Sequence, residues 1–213
     1  MLSFDLAQIF IAFTVLLFSL TVHEMAHAWT ADRLGDSTAR FLGRVSLNPL
    51  VHADPIGTIL FPLIAMVTGA PLIGWAKPVP VDTRRLHHPR RDYMVVAAAG
   101  PVSNLVMAVA AALLLYVLPV SPHHVGEPNL SAPIAAILTR AMRLNVLLAV
   151  FNLLPIPPLD GGNVLAGLLP GRAAMTFDRI RPYGFVLLYA LMLSRAFDYI
   201  VIPPARFLLS WLT

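Results

Sequence analysis

Apolar residues of this chain cluster into five stretches, each long enough to cross a lipid bilayer as a helix. A hydrocarbon core about 30 Å thick needs about 20 helical residues, and the stretches cover about residues 5–34, 56–76, 93–118, 134–154 and 183–207. The pattern therefore predicts an all-α polytopic membrane protein with about four to five transmembrane helices. We expect residues 1–213 to form a single membrane-embedded domain, with a core at about 5–164 and a C-terminal helix at about 183–207.

The polar connections between these stretches indicate how the chain is oriented in a membrane. Short loops rich in Lys and Arg stay on the cytoplasmic side, and the basic loops of this chain lie at residues 33–44, 77–92 and 172–181. If all three loops lie inside, the chain starts outside and its first helix ends at the cytoplasmic face.

The second stretch, residues 56–76, then begins and ends on the cytoplasmic side. Gly69-Ala-Pro71 interrupts it, so we favour a re-entrant or hairpin segment bent at that point, which a membrane tolerates where protein or water satisfies the backbone. A plain spanning helix is the alternative. Residues 42–47 and 77–81 have extended-looking sequences beside turn signals, and we predict short cytoplasmic-side strands there.

Composition supports the membrane class and excludes several others. Of the 213 residues, 58% are hydrophobic and 12% are charged, whereas soluble domains have roughly 45–50% and 25%. The net charge of +4 does not indicate nucleic-acid binding, because the basic residues lie in short loops between apolar stretches. Residues 1–28 lack Lys and Arg, and their apolar run exceeds the core of a usual signal peptide. We therefore expect a retained helix there.

The end of the first stretch carries candidate metal chemistry. His23, Glu24 and His27 form an H-E-x-x-H motif, in which the two histidines project from one helix face and the glutamate is the general base of a zinc metalloprotease. The motif also occurs by chance in unrelated helices. Ionisable groups in a hydrocarbon-spanning helix are costly and mark functional sites, which favours zinc. Because the chain has no cysteine, its metal ligands must be His and carboxylate groups.

Asp160 is the candidate third ligand. It lies in the sequence Phe151-Asn-Leu-Leu-Pro-Ile-Pro-Pro-Leu-Asp-Gly-Gly-Asn163, where three prolines within four residues prevent a continuous helix. The charge pattern brings this helix exit and the histidine pair to the same membrane face. Two imidazoles and one carboxylate leave the fourth position of zinc open, as in catalytic sites. The alternative is an ordinary Asp-Gly turn, which the shared membrane face disfavours.

These two motifs, with Gly100-Pro-Val-Ser-Asn104 between them, resemble the site-2 protease family of intramembrane zinc metalloproteases. The resemblance extends from the first helix to about Val164. The compact length is similar to that of the small bacterial branch, which lacks the PDZ and CBS domains of other branches.

The resemblance implies a function and a set of site residues. The activity would be hydrolysis of peptide bonds within or near transmembrane segments, as in regulated intramembrane proteolysis, with a single-span membrane protein and the lipid bilayer as partners. One Zn²⁺ ion would be held by His23, His27 and Asp160, with Glu24 and Asn152 as catalytic residues. Glu24 would be the base, and Asn152 would contact the substrate backbone or the oxyanion. The location would be a bacterial inner (cell) membrane, with the active site toward the cytoplasm.

Two rival functions fit parts of the pattern. A membrane metal-ion transporter would need further acids or histidines along several spans, and the third and fifth stretches have almost none at their centres. A non-catalytic membrane scaffold would not need the intact Glu24.

Other polar residues receive structural interpretations. His52, with Asp54, could line a water path or support a ligand, although a simple loop role is favoured. Ser103 and Asn104 are assigned to hydrogen bonding between helices, with Gly100 allowing close packing.

Overall fold

The computed structural model describes residues 6–68, 75–118 and 131–213, and these ranges contain helices and no strand. The predicted all-α class is therefore confirmed. A π-helical turn, Pro55–Leu60, precedes the third helix. The helices are α1 (Leu6–Arg33), α2 (Thr38–Phe41), α3 (Phe61–Thr68), α4 (Pro89–Val117), α5 (Ser131–Asn152), α6 (Asp160–Leu168), α7 (Gly171–Ile180), α8 (Gly184–Leu193), α9 (Ala196–Ile200) and α10 (Ile202–Ser210).

Three of these helices, α1, α4 and α5, are long and apolar enough to cross a membrane. The C-terminal helices make at most one further span, because the helical stretches 171–193 and 196–210 meet at an angle of 89°. The prediction of one continuous helix at 183–207 is thus wrong. Ser194 has an extended backbone that ends α8, and its hydroxyl oxygen accepts a hydrogen bond from the Ala196 N–H at the start of α9. The sequence therefore stops one helix and caps the next inside the apolar stretch.

Helix α4 lies at the centre of the fold, where it packs against α1, α5 and α6. Its buried face is built mainly from small residues, including Ala97, Gly100, Ala108 and Ala111. Small side chains let helix backbones approach closely in membranes, where burial of apolar surface from lipid contributes little. The close approach brings the polar groups of α1 and α5 within hydrogen-bonding distance of α4.

A second apolar cluster lies where α5 and the C-terminal helices meet. Its buried members come mainly from α5, the loop after it and the C-terminal helices: Ala108, Val146, Val150, Leu154, Leu159, Leu191, Val201 and Ala205. This cluster holds the loop after α5 against the rest of the fold, and that loop leads directly to Asp160.

The predicted strand at residues 42–47 is not formed. Gly43 has a φ of +69°, and the N–H of Arg44 donates to the carbonyl of Ala39 at 2.8 Å. This left-handed glycine with a backward hydrogen bond is the usual end of a helix, here of α2. The region is therefore a helix end followed by bends.

The predicted strand at residues 77–81 is also not formed, although the backbone there is free of helix. Pro78 and Pro80 have no N–H to donate to a neighbouring strand. The N–H groups of Lys77 and Val79 donate instead to the His52 carbonyl and to a side chain of α1. We call residues 77–81 the 77–81 segment below.

The two ends of the second apolar stretch lie side by side. The N–H of Trp75 donates to the Gly57 carbonyl at 3.1 Å, and the Thr58 hydroxyl donates to the Trp75 carbonyl at 2.8 Å. The Phe61 and Trp75 rings meet edge to face, with centroids 5.5 Å apart. A plain spanning helix would separate these ends, so the contacts support the hairpin. The bend proposed at Gly69-Ala-Pro71 lies outside the described residues.

Candidate active site

The structure brings the two histidines of α1 and the aspartate of α6 together. His23 and His27 are both buried, and their Nε2 atoms lie 3.0 Å apart. The Oδ2 atom of Asp160 lies 3.1 Å from His23 Nε2 and 3.4 Å from His27 Nε2. Residues from the first helix and from far downstream in the chain thus share one small volume.

Hydrogen bonds on the far side of each ring decide which nitrogen carries the proton. His27 Nδ1 lies 2.8 Å from the carbonyl oxygen of Val96, which can only accept, so this nitrogen is the donor. His23 Nδ1 lies 2.6 Å from Oδ1 of Asn104, which again is an acceptor. In the neutral rings, both Nε2 atoms therefore present lone pairs to the shared volume, which is the tautomer that binds metal.

A relay of side chains across three helices fixes the orientation of Asn104. The Asn145 amide nitrogen donates to the Ala141 carbonyl at 2.9 Å, which identifies Asn145 Oδ1 as the acceptor for the Asn104 amide at 2.7 Å. The remaining Asn145 N–H donates to the Ser19 hydroxyl at 2.9 Å. Because each amide has only one oxygen, the relay leaves Asn104 Oδ1 facing His23.

The donor set fits a zinc ion. Two imidazole nitrogens and one carboxylate oxygen converge, and Asp160 Oδ2 is buried without a hydrogen-bond donor among the described residues. Three lone pairs without a proton between them repel one another, whereas a cation would be bound by all three. Their ligand atoms lie within 4.8 Å of one another, and nitrogen and oxygen ligands of this kind suit zinc.

The loop after α5 delivers Asp160 to this point. Helix α5 ends at Asn152 as the prolines predict, and α6 begins at Asp160 itself. A Cβ atom on Gly161 would collide with the carbonyl groups of Leu153 and Leu154. The glycine after the aspartate is therefore needed for the loop to fold back over the end of α5.

Glu24 lies on α1 beside the ligand pair and is half-buried. Its Oε2 atom accepts a hydrogen bond from the Val79 N–H at 3.2 Å. The 77–81 segment that provides this N–H is anchored at its start, where Lys77 N–H donates to the His52 carbonyl at 2.8 Å. The candidate base is thus positioned by backbone from a distant part of the sequence.

The other end of the 77–81 segment is anchored by acids outside the spans. The N–H of Asp82 donates to a carboxylate oxygen of Asp36, which is fully buried, at 2.7 Å. A hydrogen bond from the Arg84 side chain holds the pKa of the half-buried Asp82 carboxyl below its usual range. The ionised Asp82 carboxylate also accepts from the Arg84 N–H at 3.1 Å and begins the short turn that follows.

Asn152 lies at the end of α5, half-buried, and its amide nitrogen donates to the Leu148 carbonyl at 3.0 Å. No hydrogen bond among the described residues joins it to the three candidate ligands. Its catalytic role therefore stays a prediction from the family resemblance.

His52 and Asp54 have structural contacts in the loop before the hairpin. The His52 side chain is buried, and its Nε2 atom lies 2.9 Å from the Ser46 carbonyl. Asp54 accepts hydrogen bonds from the Ile56 and Gly57 N–H groups and so caps the π-helical turn. These contacts support the loop role over a role at the site.

The sequence interpretation missed part of the support of the site. It assigned Asn104 to hydrogen bonding between helices, and the structure shows that bond, but the partner is a candidate metal ligand. Ser19 and Asn145 were not recognised at all. The available signal was an asparagine inside an apolar helix, since such a residue needs a hydrogen-bonding partner.

Comparison with known proteins agrees with this geometry. The sequence profile of Peptidase family M50 matches residues 11–194, which is most of the chain.

The chain belongs to Peptidase family M50. The predicted resemblance to site-2 proteases is thereby confirmed. With its long apolar helices, this M50 protein is an integral membrane protein.

Individual relatives of this M50 protein carry protease names. It is 38% identical over 191 residues to a protein of Bacillus subtilis named zinc metalloprotease YwhC, an alignment that covers 88% of this chain and 82% of the relative. It is 31% identical to Rip2 of Mycolicibacterium smegmatis, covering 85% of this chain and 66% of the relative. It is 34% identical to the regulator of sigma-E protease RseP of Escherichia coli, covering 55% of this chain and 27% of the relative. No solved structure gives a significant match.

Gly100 offers a test of the site that leaves every polar residue in place. A Cβ atom there would lie 2.5 Å from Cε1 of His23 and would also collide with the ring of His27. The rings cannot yield without moving their Nε2 atoms, so Gly100→Ala should weaken metal binding about 10- to 100-fold, as loss of an outer hydrogen-bonding partner does. Metal affinity is measured by competition with a chelator.

Gly171→Ala is the matched control, because a Cβ atom at Gly171 meets nothing within 4 Å. Unchanged metal affinity in Gly100→Ala would show that the rings are not confined by α4 as the structure indicates.

Proposed function

We propose that this protein is an intramembrane zinc metalloprotease, which hydrolyses peptide bonds within or near the transmembrane segments of membrane proteins. The substrate class is a single-span membrane protein. The observation that carries the proposal is the convergence of two imidazole lone pairs and one carboxylate oxygen next to a glutamate on an apolar helix. His23, His27 and Asp160 are the proposed zinc ligands.

In the proposed reaction, the zinc ion, Glu24 and Asn152 have separate roles. A zinc ion supplies Lewis acidity, which polarises a carbonyl group and makes water acidic enough to react near neutral pH. Glu24 takes a proton from the attacking water and returns it to the leaving amine. Asn152 donates a hydrogen bond to the substrate carbonyl after its amide leaves Leu148, a contact that is often worth roughly 3 kcal/mol in other enzymes.

The location of the site supports a substrate within the membrane. Both histidines lie in α1, the apolar helix of 28 residues, 17 and 21 residues after its first described residue. The basic loop at 33–44 begins at the end of α1, and the basic loop at 77–92 contains the 77–81 segment. Both support an active site near the cytoplasmic face of a bacterial inner membrane. A substrate helix reaching this site must unwind, because its own hydrogen bonds occupy its carbonyl groups.

The direct test is cleavage of a single-span reporter by the purified protein in liposomes. We expect the wild type to cut the reporter within or near its apolar segment, with activity lost on zinc chelation and restored by zinc. A membrane metal-ion transporter would instead move zinc into the liposomes without cleaving any reporter. Equal cleavage of the reporter by the wild type and by Glu24→Gln would refute the proposed protease mechanism.

The hydrogen bond from Val79 to Glu24 gives a further prediction. Val79→Pro removes the N–H that holds Glu24 Oε2 and leaves the glutamate in place. We expect kcat for the reporter to fall about fivefold, the factor that corresponds to a hydrogen bond worth about 1 kcal/mol, with zinc content unchanged.

Val81→Pro is the control, since it adds a proline to the same segment at an N–H with no acceptor among the described residues. An increase in kcat for Val79→Pro would contradict the positioning role and show that the 77–81 segment restrains the base.

A further inference from the structure

A second site of the molecule lies away from the histidines, in a groove between α1, α3 and α5. The groove encloses a cavity of about 960 Å³, which is within the size range of small-molecule sites. Its walls are apolar and come from all three helices, for example Ala12, Leu16, Ala65, Leu144 and Leu147. Because α1 and α5 are both long enough to span a membrane, a groove along them faces the lipid.

The wall that α5 contributes to the groove carries two basic residues. Arg140 and Arg143 both line it, and as residues three apart on α5 they lie on the same helix face. The described residues contain no carboxylate paired with either arginine. Charged groups within an apolar spanning helix are costly unless a partner is present, so the pair indicates an anion supplied from outside the described chain.

The position of the Arg140 guanidinium relative to α1 follows from its hydrogen-bonding partner. The Arg140 guanidinium donates a hydrogen bond to the side-chain oxygen of Gln8, and Gln8 lies near the beginning of α1. His23 lies 15 residues further along the same helix, which is about 22 Å at 1.5 Å per residue. The Arg140 guanidinium therefore reaches the end of α1 that is opposite to the metal ligands.

We propose that this groove binds an anionic phospholipid. Its phosphate lies against Arg140 and Arg143, whose planar guanidinium groups match phosphate oxygens in charge and geometry. Its acyl chains lie along the apolar walls, which run from the arginines toward Leu147. Neither the candidate metal site nor its supporting hydrogen bonds include a residue of this groove, so the site is separate from the chemistry.

The test compares two lipids that have the same acyl chains and a phosphate but differ in the net charge of the headgroup. The full chain is purified in a neutral detergent, and binding of dioleoyl phosphatidylglycerol and dioleoyl phosphatidylcholine is measured by native mass spectrometry. Each basic side chain near a membrane surface contributes about fivefold to binding of anionic lipid, so we expect the wild type to prefer phosphatidylglycerol about 30-fold. Arg140→Gln with Arg143→Gln should remove that preference.

Three further variants separate the parts of the proposal. Arg195→Gln, an exposed arginine beyond α8, should keep the full preference, and Arg140→Lys with Arg143→Lys should keep most of it. Ala12→Phe, one turn beyond Gln8 in the α1 wall of the groove, should reduce retention of both lipids, because it occupies the acyl path and leaves the charges.

Several outcomes would overturn the proposal. One is equal retention of the two lipids by the wild type. Another is binding of inorganic phosphate as tightly as phosphatidylglycerol. That result would show an anion site that does not require acyl chains. A third concerns the variant Arg140→Gln with Arg143→Gln. It is the result that this variant keeps its lipid preference but no longer binds a reporter that has an acidic residue in its transmembrane segment. That result would assign the arginines to a protein substrate.

Discussion

Glu24→Gln is expected to lower cleavage of a membrane-embedded reporter by a factor of about 10² to 10⁴ without changing the zinc content. The glutamine keeps the shape of the side chain and can still accept from the Val79 N–H through its amide oxygen. It cannot take a proton from water at ordinary pH. Because Glu24 is not among the three converging ligand residues, the metal should remain. The measurement is the initial rate of cleavage in liposomes, beside zinc analysis of the same preparation.

The sequence contains one other glutamate, and Glu127→Gln is therefore the matched control. It makes the same chemical change elsewhere and should leave both the rate and the zinc content unaltered. A Glu24→Gln protein that retains the full rate would exclude Glu24 as the base. A protein that loses zinc together with its activity would instead make Glu24 a supporting group of the metal site.

The fold was predictable where a physical constraint acts along the sequence. Hydrocarbon thickness sets the length of a spanning helix. The observed α1, α4 and α5 correspond to three of the five predicted stretches. The approach of Asp160 to the histidines was predictable because charged loops fix which helix ends share a membrane face. The prolines at 155, 157 and 158 then required the chain to leave the helix before reaching the aspartate.

The hydrogen bonds that orient the candidate ligands were not predictable in the same way. The relay from Ser19 through Asn145 to Asn104 joins three helices, and it depends on their relative rotation and depth, which no pattern within one helix specifies. Sequence analysis could state that Asn104 needs a partner, but it could not choose His23.

The wrong predictions have local causes. Residues 42–47 and 77–81 have compositions that suit extended backbone, but the ladder that makes a strand needs free donors. At Gly43 a left-handed residue ends α2 instead, and at Pro78 and Pro80 the donors are missing. The C-terminal stretch is mostly apolar, yet Ser194 competes for backbone hydrogen bonds and divides it.

Removal of the Asp160 carboxylate should cause a large loss of zinc affinity. In Asp160→Ala, the two neutral imidazoles keep their positions, because the Val96 carbonyl and Asn104 hold their Nδ1 atoms. Only two ligands then remain, without the negative charge that balances the ion. We expect zinc affinity to fall by more than about 100-fold, beyond the range caused by loss of an outer partner, and reporter cleavage to disappear with it. Competition with a zinc chelator measures the affinity independently of activity.

A graded comparison separates a ligand from a supporting residue. Asn104→Leu removes the acceptor for His23 Nδ1 and leaves all three ligand side chains present, so its loss should stay within about 10- to 100-fold. Asp178→Ala, on the exposed side of α7, should bind zinc like the wild type. If Asp160→Ala bound zinc as tightly as the wild type, the 3.1 Å approach of its carboxylate to His23 would be a hydrogen bond within an unmetallated cluster. The order Asp160→Ala, then Asn104→Leu, then Asp178→Ala is therefore what distinguishes a metal centre from a buried polar network.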